Sequence, residues 1–394
     1  MKKGWQKKRL GDVCEIIKGR KPTLKPTQER GDMPYLVAKF MRGVQDPEFA
    51  SVSDRNAVLV EESDTIIICD GSNSGEVFTG YRGILSSTMG KISKKVELND
   101  GYLQAFLAST FEFFNGAKTG AAIPHLDKEA MYGLEFPFPP LPEQQRIVGL
   151  LDEAFGGLGT AQAHAAQNLQ NARDLFESHL NAVFTQRGEG WVEKTLGDVC
   201  EFLNGFAFKS GDTVPVSQTQ LLRMGNLYCN RLDLDRSPVF YPDDFAAEYS
   251  RYVLAEGEII MSLTGTSGKE DYGFAVRIPD CGHILLMNQR LMKFDAIRQD
   301  IIDDGYLLHY LRSRCFLNVL YPTANGTRQA NLSSATMKLL PVPLPSMNEQ
   351  KRIAGNLEAL AAETQRLTRI YEQKLAALAE LKKSLLHQAF SGEL

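Results

Sequence analysis

Two proline-rich lead-ins, each followed at once by about 45 residues of helical period, constrain this chain most. The first reads Pro137-Phe138-Pro139-Pro140-Leu141-Pro142 and continues as Glu143-Gln144-Gln145-Arg146-Ile147. The second reads Pro341-Val342-Pro343-Leu344-Pro345 and continues as Glu349-Gln350-Lys351-Arg352-Ile353. Proline pre-sets a first helical turn but cannot sit inside a helix, so each run marks a helix start. Ser346 and Glu349 have capping-box spacing.

The period behind both starts is that of a coiled coil. Ile353, Leu357, Leu360, Thr364, Leu367, Tyr371, Lys374, Leu378, Leu381 and Leu385 recur at steps of four and three. Ile147, Leu151, Ala154, Leu158, Ala161, Ala165, Asn168, Ala172 and Leu175 repeat that register over a helix expected at 141–187. A repeat of 3.5 residues over five heptads predicts a helix-pairing seam; two ordinary amphipathic helices on separate domains are the alternative. Gly156, Gly157 and Gly159 weaken the first helix by roughly 1 kcal/mol each relative to Ala. They predict a kink or a close approach of the partner helix.

The rest of the chain is also duplicated. Leu10-Gly11-Asp12-Val13-Cys14-Glu15 recurs identically as Leu196-Gly197-Asp198-Val199-Cys200-Glu201, and further echoes follow in the same order. Gly75 pairs with Gly268, Ile84-Leu85 with Ile284-Leu285, and Gly101-Tyr102-Leu103 with Gly305-Tyr306-Leu307. The offset grows from 186 to 206, so the second copy carries insertions. Short β-rich runs such as Thr65–Cys69 and Glu258–Met261 are punctuated by Gly, Pro and Asn, and helices are expected near Tyr102–Asn115 and Tyr306–Leu320.

These features predict an α+β fold: two repeated α/β domains separated by two long antiparallel coiled-coil helices in a pseudo-two-fold, nearly circular arrangement. The expected boundaries are 1–140, 141–190, 191–345 and 346–394. Only Gly188-Glu189-Gly190 follows the first helix, which sets the second globule at its far end. The second helix must then run back antiparallel, giving a rod of roughly 65 Å.

Composition narrows function by exclusion. The chain has 394 residues, 43% apolar and 23% charged, as in a soluble globular protein, and no apolar run or signal peptide for a membrane. The six cysteines form no CxxC pair, which fits a reducing cytoplasm and suggests neither zinc nor disulfides. Residues 1–140 carry 19 basic and 18 acidic side chains and residues 191–345 carry 15 and 18, which by itself gives DNA binding no support; if either part binds DNA, its positive charge must be gathered on one face.

Gly265-Thr266-Ser267-Gly268-Lys269 resembles a phosphate-binding loop, but its first glycine and the Ser/Thr after lysine are missing. There is no GxSxG, HExxH or Asn/Asp-Pro-Pro-Tyr/Phe motif, and no cofactor is expected. What remains is two matching frames whose middles, 20–60 and 206–254, barely align: two recognition modules with different targets. A scaffold presenting two protein-binding domains, which the acidic balance favours slightly, is the alternative. A third reading is the recognition part of a fused enzyme whose catalytic region would lie outside this chain.

Over its whole length the chain resembles the specificity subunit of type I restriction–modification systems. The resemblance rests on the Leu141–Ile147 motif and its echo at Glu349–Ile353, and on the two Leu-Gly-Asp-Val openings. It rests also on Gly205-Phe206-Ala207-Phe208-Lys209-Ser210 and on the ending Gln388-Ala389-Phe390-Ser391-Gly392-Glu393-Leu394. It implies a non-catalytic subunit with two target recognition domains, each reading half of a split, asymmetric double-stranded DNA sequence. It also implies docking of two methyltransferase subunits and, through them, of restriction subunits; methyl donor, ATP and magnesium would be bound by those partners. Two faces related by a pseudo-two-fold axis suit half-sites spaced by the ~34 Å repeat of DNA.

Base reading needs Arg, Lys, Asn, Gln, Ser and Thr in polar loops, while other basic residues fix register on phosphate. In the first module the candidates are Arg20, Lys21, Lys39, Arg42, Ser72, Asn73, Ser74, Lys118, Thr119 and His125. In the second they are Asn204, Lys209, Arg223, Asn226, Thr264, Thr266, Ser267, Arg328, Gln329 and Asn331. Each could equally be a turn residue or a solvated charge. Arg328 and Gln329 rank highest, because both can bond bidentately; Ala122 and Ile123, at the matching place in the first copy, cannot.

Overall fold

The structure is a computed structural model; it describes residues 4–116 and 125–394. The chain divides into two compact units, Met1–Ala166 with Glu372–Leu394, and Gln167–Tyr371.

In the first unit, the strands Cys14–Lys18, Met89–Lys94, Thr65–Ile68 and Val77–Phe78 form one antiparallel sheet, in that order. A second sheet runs Phe49–Ser51, Asp32–Leu36, Gly83–Leu85, Leu59–Val60, and its central pair is parallel, with Tyr35 beside Ile84 and Leu36 beside Leu85. Gln6–Arg9 pairs with Glu135–Phe138, so the opening of the module meets the run that leads into the long helix.

The second unit repeats this topology strand for strand. Its sheets are Glu201–Asn204, Leu291–Asp295, Ile259–Ser262, Ala275–Arg277 and Phe240–Tyr241, Thr219–Leu222, Ile284–Met287, Val253–Leu254; again only the central pair of the second is parallel. Val192–Thr195 pairs with Pro341–Leu344. The second unit also carries two ribbons, Leu227–Tyr228 with Arg231–Leu232 and Thr264–Thr266 with Gln329–Asn331; at the place of the latter the first unit has the single bridge of Asp70 with His125.

Backbone bonding corrects two of the expected pairings. Gly75 N–H donates to the Ile68 carbonyl and Gly273 N–H to the Ser262 carbonyl, so Gly273 is the counterpart of Gly75, not Gly268. Both glycines have positive φ, the left-handed region that a side chain resists. The parallel register puts Ile84 opposite Tyr35 and Leu286 opposite Leu221, which moves the match of Ile84 from Ile284 to Leu286. Each helix expected within the modules is also broken in two, as Asp100–Ser109 with Phe111–Gly116 and Asp304–Arg312 with Arg314–Leu320. At the second break Ser313 is extended, and its side chain accepts from Phe316 N–H, capping a new helix.

The long helices span Leu141–Thr185 and Met347–Ser391. The glutamine in each of their opening motifs is 1% exposed and ties helix to module. Gln144 accepts from Asn99 N–H at 2.9 Å and donates to the Pro139 carbonyl at 2.8 Å. Gln350 accepts from Asp303 N–H at 2.9 Å and donates to the carbonyls of Ile301 and Pro345, each at 3.0 Å. Asn99 and Asp303 in turn cap the helices that carry Tyr102 and Tyr306, whose hydroxyls donate to Pro137 and Pro343.

In the first unit Ile147 and Leu151, near the start of the first helix, share a core with Leu386 and Ala389 near the end of the second. In the second unit Leu180 and Phe184 share a core with Ile353, Ala354 and Leu357. Within each unit, then, the two helical segments run antiparallel.

The expected seam slips along both helices. Leu158 is buried, and Leu360, Leu367, Leu378 and Leu385 are half-buried. However, Leu175 is 52% exposed while Leu180 and Phe184 are buried, and Leu381 is 47% exposed while Leu386 and Ala389 are buried. A straight helix drifts ~20° per heptad from a 3.5-residue repeat, about one residue's rotation over five heptads. The buried faces follow 3.6: Ile353 and Ala389 lie about ten turns apart. The helix runs unbroken through Gly156, Gly157 and Gly159, and a methyl group on any of them would meet nothing within 4 Å. The expected close approach at these glycines does not occur.

Candidate nucleic-acid interface

In each module a tight turn joins the parallel-paired strand of one sheet to a central strand of the other. In the first it is Ser86-Ser87-Thr88 and in the second Asn288-Gln289-Arg290. A glycine presses on each turn: a methyl group on Gly19 would lie 2.2 Å from the Ser86 carbonyl oxygen, and one on Gly205 2.1 Å from that of Asn288. No other residue fits there.

In the second unit the turn opens into a cleft of about 370 Å³ that gathers three arginines, Arg223, Arg236 and Arg290, beside Asn288 and Gln289. Arg223 follows the strand Thr219–Leu222 and donates to the Ser237 carbonyl. Arg236 lies over the Tyr228 ring at 5.8 Å, a cation–π distance. Among the described residues none of the three guanidinium groups is in an ion pair. Like charges gathered without a counter-ion raise the local potential and suit a polyanion.

Thr264 hydroxyl, 2.9 Å from the Met224 sulfur, links this cleft to the ribbon of Thr264–Thr266 and Gln329–Asn331. There Thr264 faces Asn331 and Thr266 faces Gln329, and Ser267 N–H donates to the Arg328 carbonyl at 3.2 Å. Two candidate loops distant in sequence thus meet. Ala330 points inward, while Gln329 and Asn331 point out. Thr266 hydroxyl and N–H both bond Asp271, and with burial and the Lys269 charge their net effect holds that carboxyl below its ordinary range.

In the first unit the turn 70–76 collects Arg42, Asn73 and His125. Arg42 pairs with Glu76, and its guanidinium lies over the Phe78 ring. His125 Nδ1 lies 2.7 Å and Lys18 Nζ 2.8 Å from the two oxygens of Asp70. Burial would raise the Asp70 carboxyl, but Lys18 and His125 outweigh it and hold it low. Ser72, Arg20, Lys21 and Lys39 are exposed. Lys118 and Thr119 lie outside the described residues.

Three candidates are reassigned by burial. Asn226 is buried with its amide spent on the backbone: it accepts from Arg223 N–H and donates to the carbonyls of Asp233 and Arg236. Ser74 and Thr264 are buried as well, so none of the three can reach a base edge. Lys209 is exposed and its carbonyl accepts from the Tyr241 hydroxyl, while Asn204 donates to Ser334 Oγ at 3.5 Å; neither lines the arginine cleft.

Sequence reasoning missed Arg236, Asn288, Gln289 and Arg290. The available signal was three consecutive side chains able to bond bidentately, directly after an apolar strand. The two-residue misalignment at Ile284 hid that this turn matches Ser86-Ser87-Thr88. Among the described residues no cluster of three or more His, Cys, Asp or Glu is placed to hold a metal ion, and no helix is long and apolar enough to cross a membrane.

Comparison with known proteins fits this duplicated architecture. A relative from Methanocaldococcus jannaschii, the type I restriction enzyme MjaVIII specificity subunit, is 27% identical over 99% of this chain and 93% of its own length. The EcoAI specificity subunit of Escherichia coli is 27% identical over 52% of this chain and 34% of its own. A chain from a structure of type I R-M complex assembly and conformational transition matches with a TM-score of 0.74 at 18% identity, covering 100% of this chain and 99% of that one. The HsdS subunit from Thermoanaerobacter tengcongensis matches with a TM-score of 0.55 at 18% identity over 100% and 98% of the two chains. These two likenesses concern the fold. The model of the type I restriction modification DNA specificity domain matches residues 2–159 and again 188–376, and the chain belongs to that family.

Proposed function

We propose that this chain is the DNA specificity subunit of a type I restriction–modification complex, in which each module reads one half of a bipartite, asymmetric target. The observation that carries the reading is the repeated backbone frame whose polar side chains differ between modules, above all the cleft of three arginines in the second, none of them in an ion pair among the described residues. Guanidinium groups beside amide side chains at a turn suit phosphates and base edges. The chain directs partner methyltransferase and restriction subunits to the site; catalysis belongs to them, as do methyl donor, ATP and magnesium. The recognition modules correspond to residues 1–140 and 191–345, and the spacer helices to 141–190 and 346–394. The six unpaired cysteines, of which Cys14, Cys69 and Cys200 are buried, suit a reducing cytoplasm.

The test is co-expression with the partner methyltransferase, followed by single-molecule sequencing of methylated adenines. Methylation at one split motif is expected, with one half changing when residues 1–140 are exchanged for those of another such subunit. No complex and no methylation pattern would favour the scaffold reading.

A further inference from the structure

We infer that the turn Asn288-Gln289-Arg290, with its counterpart Ser86-Ser87-Thr88, is the element that sets the difference between the two half-sites, and that Arg290 reads a guanine. The inference rests on the DNA-reading function proposed above and deepens it.

Its first support is that the two turns are built alike. Met89 N–H closes on the Ser86 carbonyl at 3.0 Å, and Leu291 N–H on that of Asn288 at 2.9 Å. Gly19 N–H donates to Met89 and Gly205 N–H to Leu291, both at 2.9 Å. The first side chain of each turn also does the same work. Ser86 Oγ accepts from Thr88 N–H at 3.3 Å, and Asn288 Oδ1 accepts from Arg290 N–H at 3.2 Å. With that residue spent on closing the turn, the second and third positions project from a closely matching frame, in which the middle N–H donates to Tyr35 Oη in the first module and to the Phe206 carbonyl in the second.

The second support is what projects. In the first module it is Ser87 and Thr88, short side chains, the Thr88 hydroxyl lying 3.0 Å from Ser86 Oγ. In the second it is Gln289 and Arg290, both exposed. A guanidinium spans the O6 and N7 acceptors of guanine, and a Gln amide spans N6 and N7 of adenine. Arg290 has no carboxylate partner among the described residues, and its Nη1 lies 4.0 Å from the Met224 sulfur, a soft neighbour that does not compete for its donors. Arg223 and Arg236 line the same cleft, where they suit the flanking phosphates. Arg42, which packs at the turn 70–76 in the first module, is by contrast neutralised by Glu76. The backbone positions the reader; the two projecting side chains choose the base.

The test uses the full chain in complex with its methyltransferase, comparing wild type, Arg290→Ala and the triple exchange N288S/Q289S/R290T by sequencing methylated adenines. The half-site of the second module is the one left unchanged when residues 1–140 are exchanged. Loss of one bidentate contact lowers discrimination roughly tenfold to a hundredfold. The triple exchange should relax that half at one or two positions, one of them guanine, and leave the other half intact. Arg290→Ala, at an exposed position, should relax the guanine alone. A split motif unchanged in the triple exchange overturns the inference while the proposed function stands. Should the triple exchange not assemble, an unchanged guanine preference in Arg290→Ala overturns it equally. A wild-type complex that methylates no split motif overturns the proposed function, and this inference with it.

Discussion

Gln350 offers the sharpest test of how the long helices are fastened to the modules. Its side chain is buried and satisfies three backbone groups: Asp303 N–H and the carbonyls of Ile301 and Pro345. Gln350→Leu keeps the volume and removes every one of these bonds. Each buried group left unpaired costs about 1–3 kcal/mol, so the substitution should destabilise the second unit by roughly 3–6 kcal/mol, allowing for partial rescue by relaxation. The matching Gln144→Leu orphans two groups, Asn99 N–H and the Pro139 carbonyl, and should cost about two thirds as much. The loss should be local as well as large. Asp303 caps the helix Asp304–Arg312, so amide exchange should accelerate there and at residues 301–303 in the Gln350 variant. Urea unfolding with site-resolved exchange measures both. A loss under about 1 kcal/mol, or one of equal size at Asn99 and Asp303, would refute the argument that these glutamines bind helix to module.

Two further outcomes follow from burial. Gly156, Gly157 and Gly159 sit in a continuous helix with open space around each, so G156A/G157A/G159A should raise stability by about 2–3 kcal/mol; an unchanged urea midpoint would show that the helix is not formed there. Burial, with Arg312 and Arg277 nearby, pushes the His309 ring down to about 4, and its Nδ1 has no partner among the described residues. Unfolded, the ring titrates near the ordinary value of about 6.5, so below that pH the unfolded state binds a proton that the folded state refuses. Stability should therefore fall between about pH 6.5 and pH 4, by up to about 3 kcal/mol, and His309→Phe beside Phe176 should remove that part of the acid sensitivity in urea midpoints measured at pH 7 and pH 4.5.

The frame of the protein was legible because it is written in short-range patterns. The proline lead-ins, the Leu-Gly-Asp-Val openings and the apolar period each fix local backbone, and their repetition announces two modules and two helices. Register was legible only in part. A 3.5-residue and a 3.6-residue period differ by one position only after five heptads, so Leu175 and Leu381 read as seam residues, and tertiary packing chose Leu180 and Leu386 instead.

The same holds for the site. Polar side chains in loops mark candidates without saying which are spent on the backbone. Asn226 and Asn288 are both loop asparagines; the first is consumed by three backbone bonds, while the second closes a turn that holds Gln289 and Arg290 outward. By itself, then, the sequence determined that there are two copies, where their elements start, and that their polar middles differ. Tertiary structure decided which of those polar residues face solvent together, since strand pairing joins Thr266 to Gln329 and Arg223 to the Arg290 turn across dozens of residues. That choice belongs to long-range hydrogen bonding and burial, which no local pattern encodes.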